Sequence, residues 1–107
     1  MRITRPLLQH ALRITLFTRA NCALCDQAKL VLSHAWDKKP FDFAEIDVMA
    51  RGQEQWKELY EFDTPVIHVQ RASTTSADVR KAMHRFSAQH VLQLMADADG
   101  EGDDGKG

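Results

Sequence analysis

Long apolar runs are missing from this sequence. A bilayer-spanning helix needs about 18 consecutive apolar residues, and even the stretch from Ala11 to Phe17 is broken by Arg13 and Thr15. A soluble protein with no membrane partner is expected. Cysteine is nearly missing too: Cys22 and Cys25 are the two present, too few for the disulfide framework of a small secreted domain. The opening residues lack the apolar region and small-residue cleavage site of a secretory signal, so a reducing, cytoplasmic compartment is expected. Acids are absent from Met1 to Cys25, a stretch that holds Arg2, Arg5, Arg13 and Arg19. That pattern also fits a mitochondrial presequence, the alternative location, although only about twelve residues precede the first credible strand.

The chain also lacks an excess of charge of one sign. Its 14 Lys and Arg stand against 15 Asp and Glu, for a net charge of −1, which removes the electrostatic case for nucleic acid as a partner. Glycine is scarce where a fold would use it, because four of the five are Gly100, Gly102, Gly105 and Gly107. The segment D-A-D-G-E-G-D-D-G-K-G from Asp97 onward has no large apolar residue and cannot offset the entropy of ordering. It reads as a disordered, acidic, Gly-rich tail over 97–107. Without it thirteen basic and ten acidic residues remain, so the rest is mildly basic. What is present, 107 residues at 44% hydrophobic and 27% charged, suits one small domain with a single core. The expected organisation is an extension over 1–12, a domain over 13–96 and the tail.

Within that domain, R-I-T-L-F-T (Arg13 to Thr18) alternates polar and apolar residues and reads as a strand. Leu24, Ala28, Val31, Leu32 and Ala35 recur at spacings of three and four, one helical stripe beginning at or just after Cys22 and limited by Pro40. Phe41 to Asp47 reads as a second strand, with Phe41, Phe43 and Ile46 as its apolar residues. Trp56, Leu59 and Tyr60 mark a short helix after Gly52. P-V-I-H-V-Q (Pro65 to Gln70) is a β-branched run with proline at its first position, where a strand tolerates it. Arg71 to Asp78 reads as a turn or flexible excursion, Ala82 to Phe86 as a brief fourth strand, and Ser87 as the N-cap of a last helix bearing Val91, Leu92, Leu94 and Met95. Two strands joined by a helix are parallel neighbours and the last two strands form a hairpin. A three-layer α/β sheet of four strands and three helices results. Trp36 and Trp56 fall on helical stripes and are expected in the core; His68 is expected to be a packed strand residue.

Both cysteines lie in C-A-L-C, where the first strand meets the first helix. A sulfur at the helix start faces unpaired backbone N–H groups and the positive end of the helix dipole, which stabilise a thiolate over a thiol. Cys25, one turn further in, is close enough to close a disulfide but has poorer access to those amides. Cys22 is therefore expected to attack and Cys25 to resolve. Two other readings stand beside this one. The pair could be half of a zinc site, completed by histidines because no second C-x-x-C exists, or two inert cysteines packed as small hydrophobes.

With F-T-R-A-N-C-A-L-C-D (Phe17 to Asp26) and D-T-P-V-I-H-V (Asp63 to Val69) on the page, the sequence resembles the glutaredoxin branch of the thioredoxin superfamily, and more closely its uncharacterised glutaredoxin-like proteins, from about Arg13 to Met95. The resemblance implies a thioredoxin-like, glutaredoxin-type three-layer fold around a mixed sheet, with Cys22 as nucleophile and Cys25 as resolving partner. It makes Pro65 the cis-proline, whose bond leaves the backbone of Thr64 turned toward the dithiol and able to pair with an extended substrate. It sets Arg19 where glutaredoxins often carry a lysine that holds a glutathione carboxylate.

Three features depart from the family pattern. The stretch M-H-R-F-S-A-Q-H (Met83 to His90) has no glycine where glutaredoxins usually show a Gly-Gly turn that lets glutathione approach the backbone. C-A-L-C lacks the proline and tyrosine usual inside the motif. Asp26 adds negative charge after it, in a place where an acid favours the first turn of a helix. The implied activity is thiol-disulfide oxidoreduction on protein or glutathione mixed disulfides, with glutathione as a co-substrate, no bound cofactor or metal, and a monomeric chain. The alternative, from another class, is a non-catalytic thioredoxin-fold module that binds a partner or a metal through the dithiol.

Overall fold

The structure, a computed structural model, describes residues 10–72 and 79–100. Seven elements follow in order: β1 (Leu12–Thr18), α1 (Ala23–Lys38), β2 (Asp42–Asp47), α2 (Glu54–Tyr60), β3 (Val66–Arg71), β4 (Arg80–Met83) and α3 (Ala88–Gly100). They build one mixed sheet in the order β2-β1-β3-β4. β1 and β2 run parallel, as the connecting helix demands, while β1–β3 and β3–β4 are antiparallel. The expected α/β sheet of four strands and three helices is what forms.

The alternation in β1 sorts its side chains to two faces. Leu12, Ile14 and Leu16, with Ile67 and Val69 of β3, are fully buried against Ala28, Leu32 and Ala35 of α1 and Val91, Met95 and Ala98 of α3. Phe17 and Val66 point the other way, into a smaller cluster with Val48 and Tyr60 that Ile46 and Trp56 complete. The sheet is thus covered by two helices on one face and by the short α2 on the other. α1 ends where proline chemistry requires it. Lys39, the residue before Pro40, adopts an extended conformation at φ −149 and ψ 97, as steric conflict with a following proline ring favours. Ser87 caps α3, its hydroxyl accepting the His90 N–H at 3.0 Å.

Five expectations need correction. α3 does not stop before Asp97 but runs to Gly100, so the first four residues assigned to a disordered tail are helical. Ala98 continues the Val91 and Met95 stripe and is only 3% exposed. The last turn holds no basic residue of its own; instead Arg71 donates to the Asp99 carbonyl at 3.0 Å and Lys39 pairs with the Asp99 carboxylate at 3.5 Å, both favourable at a helix C-terminus. The remainder of the tail, 101–107, lies outside the described residues. The fourth strand sits earlier than expected, at Arg80–Met83 rather than from Ala82 to Phe86. Arg71 ends β3 and Ala72 is a buried turn residue bonded to the Ala11 carbonyl at 2.8 Å; the rest of that excursion, 73–78, lies outside the described residues. Trp36 is not a core residue, being 43% exposed, with its indole N–H on the Phe41 carbonyl at 3.1 Å. Its partner Phe41 precedes β2, and the second strand begins at Asp42.

Candidate active site: a dithiol at the start of a helix

β1 delivers the chain to a tight turn. Asn21 takes a left-handed conformation at φ 58, which asparagine tolerates better than most residues, and the chain then enters α1 with Cys22 as its N-cap at φ −122 and ψ 103. The Cys22 sulfur accepts the Cys25 backbone N–H at 3.1 Å. The Cys22 carbonyl takes the Cys25 and Asp26 N–H groups at 3.1 and 3.2 Å. Cysteine thus occupies the position that serine or aspartate usually fills, and the sulfur receives the N–H bonding and dipole field that favour negative charge.

The two sulfurs form a disulfide, with Cα atoms 5.2 Å apart, within the ordinary range for such bridges. They are not equivalent. Cys22 is half-buried, whereas Cys25 is only 2% exposed and lies beneath it on the inner side of α1. An incoming sulfur reaches the first and not the second.

Thr64 stands opposite, its hydroxyl 4.0 Å from the Cys22 sulfur. The Thr64–Pro65 peptide bond is cis, and the Pro65 carbonyl accepts the His84 N–H at 2.8 Å. That bond ties the segment after β4 to the dithiol side of the molecule. His84 is left-handed at φ 66, and its ring lies 3.4 Å from the Asp63 carboxylate. Where the resemblance led one to look for glycine, a histidine adopts the backbone that glycine takes without cost. His84 and Asp63 were not singled out as site residues by the sequence; the missing glycine was the signal that pointed to this segment.

Arg19 lines a cleft of about 370 Å³ together with Cys22, Cys25, Asp26, Lys29 and Glu45. Part of its guanidinium is engaged, donating to the Glu61 carbonyl at the end of α2 at 2.8 Å. Glu45 in turn accepts from Lys29 at 3.1 Å and from the Thr18 hydroxyl at 3.2 Å. On the opposite flank of α1 a second groove of about 440 Å³ runs between Leu24, Gln27, Ala28 and Val31 and the segment His84 to Ser87. The structure therefore brings Arg19, Cys22 and Cys25 to one cleft and sets Thr64 beside the Cys22 sulfur, with Pro65 next in the chain.

His68 is elsewhere. It packs on Phe17 and Trp56 with ring centroids 4.6 and 5.9 Å away, its Nε2 is 2.8 Å from the Tyr60 hydroxyl, and burial beside Lys81 pushes its pKa down to about 4. It is a packed, neutral residue. His84 and His90 are six positions apart, but among the described residues no three His, Cys, Asp or Glu side chains converge as a metal site would need.

Thioredoxins are among the solved structures that share this fold. Chloroplastic thioredoxin z matches with a TM-score of 0.67 at 12% identity, over 86% of this chain and 81% of that one. A thioredoxin from Thermus thermophilus matches with 0.62 at 15%, over 90% and 82%, and thioredoxin 1 from Thermosipho africanus with 0.63 at 15%, over 85% and 98%. Identities this low speak to the fold, which is thioredoxin-like. The sequence itself is matched over residues 13–96 by the family described as "Glutaredoxin-like domain (DUF836)", a span that takes in β1 through most of α3 and both cysteines. A thioredoxin-like sheet with a disulfide at the start of α1 is thus the form taken here by a member of the glutaredoxin-like DUF836 family, to which this chain belongs.

Proposed function

We propose that the protein is a thiol-disulfide oxidoreductase that reduces protein or glutathione mixed disulfides. The observation that carries this reading is the unequal placement of the two sulfurs: Cys22 is half-buried at the helix start and hydrogen-bonded to a backbone amide, while Cys25 is buried. In the reduced form the Cys22 thiolate attacks one sulfur of the substrate disulfide. The other substrate sulfur leaves as a thiolate, and a mixed disulfide remains on Cys22. Cys25, deprotonated, then attacks the Cys22 sulfur and expels the second substrate thiolate. Two electrons have passed to the substrate, and the Cys22–Cys25 disulfide is the oxidised product.

Two thiols restore the dithiol, from glutathione, which ends as glutathione disulfide, or from a reductase. Arg19 has guanidinium donors beyond the one on Glu61 and can offer them to a glutathione carboxylate.

The test is a pair of variants. Cys22→Ser abolishes turnover, and Cys25→Ser accumulates a mixed disulfide detectable by mass. Equal alkylation rates of the two thiols in the reduced protein contradict the assignment of roles.

A further inference from the structure

The two flanks of the Cys22 sulfur have opposite chemistry. On one side the cleft shared by Arg19 and Lys29 also carries Asp26, Glu45 and Asp47, so it is polar and of mixed charge. On the other side the groove between α1 and the segment after β4 has an apolar floor of Leu24, Ala28, Val31 and Phe86. Leu24, Val31 and Phe86 are each only half-buried, and covering them removes apolar surface from water at about 25 cal/mol per Å². Among the described residues no Asp or Glu lines this groove, and its rim holds His84 and Arg85. The His84 ring already faces the Asp63 carboxylate, which leaves Arg85 as the cation that an occupant meets.

Two of the groove's walls start next to the dithiol. Leu24 lies two residues beyond Cys22 on α1. On the opposite wall the His84 N–H is bound to the carbonyl of Pro65, next to Thr64, whose hydroxyl is 4.0 Å from the Cys22 sulfur. A chain whose sulfur is in contact with Cys22 can therefore lay its adjoining residues into this groove. Glutathione has no large apolar side chain to cover the floor; a polypeptide has.

Resting on the oxidoreductase reading, we infer that this groove selects polypeptide disulfides in which the cysteine is neighboured by a large apolar residue and, beyond it, an acidic residue, in preference to glutathione mixed disulfides. The apolar side chain covers Leu24, Val31 and Phe86, and the carboxylate meets Arg85 in a charge-assisted hydrogen bond.

The experiment uses the full-length reduced protein and five disulfides of 2-mercaptoethanol. Four are with the peptides Glu-Leu-Cys-Leu-Glu, Lys-Leu-Cys-Leu-Lys, Glu-Ser-Cys-Ser-Glu and Lys-Ser-Cys-Ser-Lys, and one is with glutathione. Symmetric flanks make the result independent of chain direction, and each second-order rate is divided by that for dithiothreitol to remove intrinsic reactivity. The Leu/Glu peptide is expected to react about ten-fold faster than both the Ser/Lys peptide and glutathione. Arg85→Glu should reverse the Glu-over-Lys order, Leu24→Ser should erase the Leu-over-Ser difference, and a melting curve verifies that each variant is folded. Equal normalised rates for all five, or a Glu preference that survives Arg85→Glu, overturn the proposal while leaving the oxidoreductase reading intact. Absence of any mixed disulfide on the Cys25→Ser protein with all five overturns both.

Discussion

At the scale of single residues, two histidines carry consequences that follow from physics the sequence hides. His84 holds a left-handed backbone at φ 66, which costs a residue with a Cβ about 1–2 kcal/mol relative to glycine. His84→Gly is expected to raise stability by about 1 kcal/mol after glycine's extra chain entropy is subtracted, whereas His84→Ala, which keeps the Cβ, gives no rise. Thermal melting of the two variants separates relief of the backbone from loss of the ring and its 3.4 Å contact with Asp63. If both melt alike, the backbone is not the cause. His68 offers a test by pH. Burial, with Lys81 adding to it, holds its folded pKa at about 4, against about 6.5 in an unfolded chain. The unfolded state therefore binds the extra proton as pH falls from about 6.5 to about 4, and stability from this group is full above that window and lost within it. Urea midpoints at pH 7 and pH 5 should fall further for the wild type than for His68→Gln. Identical losses would show that the carboxylates alone account for the acid sensitivity.

At the scale of elements, the ends of helices decide what the chain can do. α1 begins on a cysteine and so turns a capping position into a reactive one; α3 ends on contacts supplied by other segments. A chain ending at Ala96 loses the buried Ala98 and the Lys39 and Arg71 bonds to Asp99, and is expected to melt several degrees below a chain ending at Gly100, a loss of about 1–2 kcal/mol. No difference between the two would mean that these bonds are matched by water. The contrast explains what the sequence made legible. β1, α1 and β3 were readable because their apolar residues repeat at the period of a strand or a helix, and the dithiol was readable because it lies at the junction of two such patterns. The end of α3 was not, because its support comes from Lys39 and Arg71, distant in sequence, and because a single alanine carries its buried stripe. β4 was displaced because R-K-A-M has no β-branched residue; its pairing is imposed by β3, with Ile67 opposite Ala82. The groove beside Cys22 was invisible in sequence, since it joins Leu24 and Val31 of α1 to Phe86, more than fifty residues away.

At the scale of the whole molecule, the sheet keeps both outer strands, β2 and β4, at its rims, and no described helix is long and apolar enough to cross a membrane. Trp36 of α1 and Phe43 of β2 lie exposed at 43% and 48%, lining with Phe41 and Leu32 a depression of about 320 Å³ that shares Lys29 and Glu45 with the cleft beside Cys22. The bridge itself spans a sequence separation of only three, within the first turn of α1, and this joins folding to electron transfer in a single thermodynamic cycle. In the unfolded chain Cys22 and Cys25 behave as a dithiol in any short peptide. The folding free energies of the oxidised and reduced proteins must then differ by the same amount by which folding shifts the reduction potential, with about 1.4 kcal/mol for every 30 mV. Because the helix start stabilises sulfur as a thiolate, the reduced protein is expected to be the more stable of the two. Melting it with and without a reductant thus reports how far, and in which direction, folding moves the potential of this pair from that of the unfolded chain. A higher melting temperature for the oxidised form would mark the protein as a reductant stronger than its own unfolded chain.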